Sequence, residues 1–125
     1  MDNAVLLLLV EDEEMIVEVT QDALEEGGFS VLTALSGTEA IALLDARSAD
    51  LTGLITDIRL GPGPDGWEVA RHGRKLRPDL PVVYTTGDSG ADWSAEGVPK
   101  SVVVQKPYAQ AQIVSAIAGL LNTAD

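Results

Sequence analysis

Five residues whose types suit phosphoryl chemistry end, or directly follow, apolar runs of this sequence. They are Glu11, Asp12, Asp57, Thr86 and Lys106. Carboxylates brought to one place repel one another, and a hard divalent cation with oxygen ligands, Mg²⁺ or Mn²⁺, is the simplest means of stabilising them. A carboxylate beside such a metal can attack a phosphoryl group, while an ammonium and a hydroxyl hold the phosphoryl oxygens. These residue types therefore predict metal-dependent phosphoryl transfer.

The elements that must position these residues are five apolar runs separated by amphipathic segments. The runs are Ala4–Val10, Phe29–Ala34, Leu51–Thr56, Pro81–Thr86 and Ser101–Gln105. This rhythm predicts repeated strand-helix units of an α/β fold, and the unbroken Val and Leu of the first run predict a central strand buried on both faces. Right-handed crossovers then require an open five-stranded parallel sheet, doubly wound by helices on both faces. Ligands of such sheets bind beyond the carboxyl ends of the strands, where all five residues would lie.

The helix between the fourth and fifth strands is predicted to be short or irregular, unlike the other four. Those four are a helix that ends before Gly27-Gly28, a second from Thr38 to about Arg47, a third from Trp67 to about Arg77, and a last one after Pro107. Glycines crowd the stretch from Gly87 to Pro99, which lowers its helix propensity. We expect this stretch, with its isolated Trp93, to have little local stability and to change arrangement when Thr86 moves.

Each candidate residue also has an ordinary structural interpretation. An acidic pair after a strand can simply begin a helix, where carboxylates meet the helix dipole favourably. Asp57 could cap a loop, Thr86 could end a strand, and Lys106 could be a surface lysine. The functional interpretation depends on all of them coinciding at the right strand ends. His72, the only histidine, lies in an Arg-rich amphipathic helix and is expected to be solvated and not catalytic.

Length, charge and composition restrict the class of protein. The chain has 125 residues, 46% apolar and 4% aromatic, which predicts one domain over residues 1–125 with an aliphatic core. The net charge is −12 and no Lys or Arg precedes Arg47, so direct nucleic-acid binding is not expected. The basic residues of the third helix are expected to form a solvated face; they are Arg71, Arg74, Lys75 and Arg77. Cysteine is absent, and no run could span a membrane, so a cytoplasmic location is expected.

The set of motifs resembles the receiver domains of two-component response regulators, over the whole stretch from Val5 to about Leu121. The resemblance implies a flavodoxin-like sheet with strand order 2-1-3-4-5. It also implies that Glu11 and Asp12 organise Mg²⁺, and that Asp57 is the phosphoacceptor and a metal ligand. The residue two beyond it, Arg59, would give its backbone carbonyl to the metal. Thr86-Gly87 and Lys106-Pro107 match the motifs that end the family's fourth and fifth strands.

The same resemblance implies partners, and this chain departs from the family at several positions. A sensor histidine kinase or histidine phosphotransfer protein would donate the phosphoryl group, and the downstream protein is unknown. Glu11 stands where Asp is commoner, the loop of residues 60–66 is about one residue longer than usual, and Val103 replaces the aromatic residue that many members use as a rotamer switch. We expect no output domain, so the module would act through a partner, as a phosphate relay or sink, or as part of a hybrid kinase.

Three alternatives share parts of this pattern. A phosphohydrolase with an aspartyl-phosphate intermediate would need a second acid near the nucleophile, and Arg59 cannot serve as one. A flavin or nucleotide binder would need a phosphate-cradling loop where this chain has four consecutive acids, residues 11–14. A pseudo-receiver, folded but never phosphorylated, would not need the complete set of acidic, Thr and Lys positions.

Overall fold

The protein folds as a five-stranded parallel sheet covered by helices on both faces. The structure is a computed structural model that describes residues 5–88 and 90–122. Its strands are β1 (Val5–Val10), β2 (Phe29–Ala34), β3 (Gly53–Asp57), β4 (Val82–Thr86) and β5 (Val102–Gln105). Its helices are α1 (Glu14–Glu26), α2 (Gly37–Arg47), α3 (Gly66–Leu76), α4 (Trp93–Glu96) and α5 (Gln110–Asn122), with one 3₁₀ turn at Gly90–Asp92. The strand order is β2-β1-β3-β4-β5, as the resemblance implied.

The central strand β1 separates two hydrophobic cores. Leu7 and Leu9 face the core beneath α1 and α5, whereas Leu8 and Val10 face the core beneath α2 and α3. All four side chains are buried, because successive side chains of a strand point to opposite faces and both faces are covered. The predicted doubly wound α/β architecture is confirmed, with a buried core on each face of the sheet.

Helix boundaries follow local capping chemistry. The Ser36 hydroxyl accepts a hydrogen bond from the backbone N–H of Glu39 at the start of α2. Asp65 and Glu68 form a reciprocal capping box at the start of α3. Helix α1 ends at Glu26 with Gly27 as its C-cap, and Gly28 then takes a φ of 98°, in the left-handed region that favours glycine. The third, fourth and fifth strands begin one or two residues later than predicted, and Ala4 lies outside the described residues.

The basic face of α3 is only partly solvated. The Arg74 Nε donates to the Leu80 carbonyl oxygen at 2.6 Å, and the Arg77 guanidinium donates to the Leu51 carbonyl oxygen. The expectation of a wholly solvated face is therefore wrong for these two residues, because both donate to carbonyls of loops that enter strands. His72 is half-buried, with its Nε2 2.7 Å from the Asp45 Oδ1 of α2.

The segment that follows β4 contains only short helical pieces, as predicted. Its Trp93 is not isolated, because the indole N–H donates to the Ser101 hydroxyl at 2.9 Å and the ring packs at the margin of the core. The Ser101 hydroxyl in turn donates to the Val98 carbonyl at 2.6 Å. Ser89 lies outside the described residues. A role for this segment in transmitting a signal stays a prediction.

Candidate functional site

The carboxyl ends of the strands bring the predicted residues to one edge of the sheet. Asp57 is the last residue of β3, and Glu11 directly follows β1, where its backbone N–H donates to the Ala34 carbonyl at 3.1 Å. The backbone N–H of Lys106 donates to the Thr86 carbonyl at 2.7 Å, which holds the end of β5 against β4. These main-chain hydrogen bonds fix the backbone positions from which the side chains of Glu11 and Lys106 extend.

Lys106 contacts two of the carboxylates. Its Nζ lies 3.1 Å from the Asp57 Oδ2 and 3.5 Å from the Glu11 Oε1. The Glu11 side chain is 2% exposed and that of Asp57 is 9% exposed, so both contacts are shielded from water. A single ammonium cannot neutralise two buried carboxylates, and the site therefore holds an excess of negative charge.

Asp12 completes a cluster of three carboxylates. Glu11, Asp12 and Asp57 each offer one oxygen, and the three oxygens lie within 4.8 Å of one another. Asp12 is exposed, whereas the other two are buried, so the cluster opens to solvent on one side. The carboxylate of Glu11 also accepts a hydrogen bond from the backbone N–H of Glu13 at 3.2 Å. This bond directs the Glu11 side chain toward the start of α1.

Burial and mutual repulsion perturb these groups. Burial, with the charge of Asp57, raises the pKa of Glu11 to about 7 although Lys106 opposes the shift. Burial also raises the pKa of Asp57, against the pull of Lys106. Burial by itself lowers the pKa of Lys106, but the two carboxylates outweigh it and raise that pKa. Lys106 thus does not supply enough positive charge to offset the burial of Glu11 and Asp57.

A divalent cation of the Mg²⁺ type fits this donor set. Its ligands are hard oxygens, and it commonly uses one or two protein carboxylates together with water and phosphate oxygens. The cluster has the required oxygens, one open side and uncompensated negative charge. Glu11, Asp12 and Asp57 are therefore residues that could hold such an ion.

The raised pKa of Glu11 predicts that metal-free protein is less stable at neutral than at acidic pH. An acid whose pKa is higher in the folded than in the unfolded state stabilises the fold below its unfolded pKa and loses that contribution as pH rises through its folded pKa. The window therefore runs from about 4.5 to about 7. In the presence of a chelator, we expect the free energy of unfolding to fall by on the order of 2 kcal/mol between pH 5 and pH 7.5.

Urea denaturation at both pH values measures this effect. Glu11→Gln should remove most of the pH dependence and make the metal-free protein more stable at pH 7.5. Glu18→Gln, which changes an exposed acid of α1, controls for the reduced net charge. An unchanged slope in Glu11→Gln would show that Glu11 is not the titrating group.

The mouth of the site carries an exposed ion pair. The Arg59 Nε lies 2.9 Å from the Asp88 Oδ1, with side chains 73% and 62% exposed. The backbone N–H of Asp88 donates to the Thr86 hydroxyl oxygen at 3.2 Å, so the pair is joined to the end of β4. Thr86 itself is buried, at the end of the strand that neighbours β3. The pair spans the β3–α3 loop and the segment after β4.

Sequence reasoning missed the contribution of Gly66. Its N–H donates to the Ile58 carbonyl at 2.7 Å, and a Cβ at this position would collide with the Asp57 carbonyl oxygen. Only glycine lets α3 begin this close behind Asp57. The Asp65-Gly66 pair, which reads as a turn signal, was the available clue. Sequence reasoning also missed Thr56, whose hydroxyl donates to the Asp57 carbonyl at 2.9 Å. No feature of the sequence indicated this contact.

A doubly wound parallel sheet that carries an acidic cluster and a lysine at its carboxyl edge defines the receiver class of signalling domains. The sequence matches the response regulator receiver domain family over residues 7–118. The crystal structure of a response regulator receiver protein from Sinorhizobium medicae is 38% identical, with a TM-score of 0.94 over 98% of both chains. A receiver domain protein from Clostridium thermocellum is 27% identical, with a TM-score of 0.84 over 94% of both chains.

Two proteins of known regulatory role are also similar to this chain in sequence. The C4-dicarboxylate transport transcriptional regulatory protein DctD of Rhizobium meliloti is 34% identical over 117 residues, which are 91% of this chain and 25% of that protein. The response regulator SaeR of Staphylococcus aureus is 31% identical over 118 residues, which are 93% of this chain and 50% of that protein. This chain thus spans half or less of the length of these relatives. It belongs to the response regulator receiver domain family. None of the helices in residues 5–88 and 90–122 has the length and hydropathy of a membrane-spanning segment.

Proposed function

We propose that this receiver domain accepts a phosphoryl group onto Asp57 in a Mg²⁺-dependent reaction and signals by binding another protein. The observation that carries the proposal is the convergence of the Lys106 ammonium and two further carboxylates on the buried Asp57. The donor would be a sensor histidine kinase or a histidine phosphotransfer protein in the cytoplasm. The domain would catalyse only its own phosphorylation and dephosphorylation.

Each residue has a distinct part in the proposed transfer. A carboxylate oxygen of Asp57 attacks the phosphorus of a phosphohistidine, the P–N bond breaks, and the imidazole leaves with the bonding electrons while an acyl phosphate forms. The Nζ of Lys106, now 3.1 Å from Asp57, neutralises a phosphoryl oxygen, and the Thr86 hydroxyl donates to another. Mg²⁺, when bound, would neutralise the remaining phosphoryl charge. Glu11, Asp12, Asp57 and the Arg59 backbone carbonyl would hold it.

The direct test of this function is intact-mass analysis after incubation with a small phosphodonor, such as phosphoramidate, and Mg²⁺. We expect a gain of one phosphoryl group that disappears when a chelator replaces the metal. Labelling that is as extensive in chelator as in Mg²⁺ would contradict the proposed metal dependence.

The Arg59–Asp88 pair is proposed to prolong the phosphorylated state by restricting water at the mouth of the site. Exposed pairs are worth only about 0 to 1 kcal/mol, so the shielding is mainly steric and its effect on rate is modest. We expect Arg59→Ala and Asp88→Ala each to lose the phosphoryl group about two- to fivefold faster than the parent. Intact mass, followed over time after removal of the donor, measures the decay.

Arg47→Ala is the matched control, because it breaks another exposed pair, Arg47 with Asp50, outside the candidate site. Its decay rate should equal that of the parent. If both site variants also decay at the parent rate, shielding by the pair is not the mechanism.

A further inference from the structure

A basic groove lies between the C-terminal half of α3 and the loop that enters β5. Its volume is about 450 Å³. Four cationic side chains line it: Arg71, Arg74, Lys75 and Lys100. They are half of the eight Lys and Arg residues of a chain whose net charge is −12. The groove therefore concentrates positive charge on one face of an otherwise acidic domain.

Two of the four cations that line the groove, Lys75 and Lys100, form no ion pair within the described part of the chain. Arg71 pairs with Glu96 at 3.0 Å, at the edge of the groove. Arg74 donates to the backbone carbonyl of Leu80; burial lowers its pKa, although the nearby Asp79 carboxylate opposes that shift. Across residues 5–88 and 90–122, Lys75 and Lys100 have no carboxylate within 4.0 Å. The groove therefore has capacity for added carboxylates.

The rest of the lining is apolar and held in place. Pro78, Val98 and Pro99 complete the lining, and the two prolines restrict the backbone. The backbone N–H of Val98 donates to the Tyr84 hydroxyl of β4 at 3.1 Å, which ties this wall to the sheet. Lys100 has a φ of 60°, a left-handed conformation that is uncommon for a residue with a side chain. The apolar wall of the groove is thus tied to the sheet, and the loop that carries Lys100 directly follows it.

We propose that this groove binds a short acidic segment of a partner protein, with carboxylates on Lys75, Lys100 and Arg71 and apolar side chains on the prolines. Charge complementarity selects the partner, since cations concentrated on one face attract a short anionic segment. A long nucleic acid would also meet the acidic remainder of the domain, which repels it. A second copy of this chain carries the same net charge of −12, which opposes self-association. The proposal does not require phosphorylation of Asp57.

Fluorescence anisotropy with a labelled octapeptide of alternating glutamate and leucine tests the proposal on the unphosphorylated Asp57→Asn chain. We expect binding at low salt, and none by a matched peptide with glutamine in place of glutamate. Combined Lys75→Gln and Lys100→Gln substitutions should weaken binding about tenfold. Glu96→Gln should strengthen it a few-fold, because it removes the carboxylate that competes for Arg71. Amide shifts on binding should concentrate at residues 71–78 and 98–100.

A charge-matched control distinguishes a site from general attraction. Arg47→Gln, away from the groove lining, removes one positive charge, as Lys75→Gln alone does. It should leave the affinity unchanged, whereas Lys75→Gln alone should weaken binding. Four results would overturn the proposal: no binding of the acidic peptide, equal weakening by Arg47→Gln, tighter binding of a single-stranded oligonucleotide of equal charge, or self-association that the Lys100→Gln change abolishes. The last two would assign the groove to nucleic acid or to a second copy.

Discussion

The Asp57→Asn variant is expected to gain no phosphoryl group under conditions that label the parent chain completely. The amide is nearly isosteric with the carboxylate but lacks the anionic oxygen that attacks phosphorus. Lys106 keeps its contact with Glu11 in the variant, so the strand ends should stay in place. Intact mass after incubation with phosphoramidate and Mg²⁺ provides the measurement.

The variant should also be slightly more stable than the metal-free parent at neutral pH. The pKa of Asp57 is raised by burial, which means that the fold favours a neutral group there. Asp50→Asn, at an exposed acid paired with Arg47, is the matched control and should be labelled like the parent. Labelling of Asp57→Asn to the parent extent would show that the acceptor is another residue.

The second large effect is expected for Asp12→Ala, which should lose Mg²⁺ binding and, with it, phosphorylation. Asp12 is the exposed member of the carboxylate cluster, so its removal leaves only the two buried carboxylates and costs the fold little. Calorimetric titration with Mg²⁺ should show weak binding to the parent and none to the variant. The metal should also stabilise the parent by mass action, about 1.4 kcal/mol at a concentration ten times its Kd.

Metal-free Asp12→Ala should be at least as stable as the metal-free parent, because one source of repulsion is gone. Asp22→Ala, at an exposed acid of α1, controls for the loss of one negative charge and should retain binding. A titration curve that Asp12→Ala leaves unchanged would place the metal elsewhere.

The architecture could be predicted because hydrophobic pattern and turn residues determine it locally. The unbroken run of β1 predicted a strand covered on both faces, and Leu7 through Val10 are buried in the two cores. Because parallel strands present their carboxyl ends at one edge, the convergence of Glu11, Asp57 and Lys106 followed from the same pattern. Strand order itself came from the resemblance, since local pattern does not specify which strands are neighbours.

Features that depend on contacts between distant residues could not be predicted. The Trp93–Ser101 hydrogen bond and the Arg77–Leu51 bond join segments whose approach is decided by tertiary packing. The basic groove is a further example, because Lys100 comes from the loop before β5 and joins the α3 cations only in the fold. A helical pattern shows which residues share a face, but it does not show what packs beside that face.

Reductive trapping of the phosphorylated chain tests the central claim most directly. Borohydride reduces an acyl phosphate to an alcohol, so a phosphorylated aspartate becomes homoserine, which peptide mass spectrometry locates. After incubation with phosphoramidate and Mg²⁺, we predict homoserine at position 57 and nowhere else, and none when a chelator replaces the metal. Homoserine at another aspartate with Asp57 unmodified, or a phosphoryl group resistant to borohydride, would contradict the account.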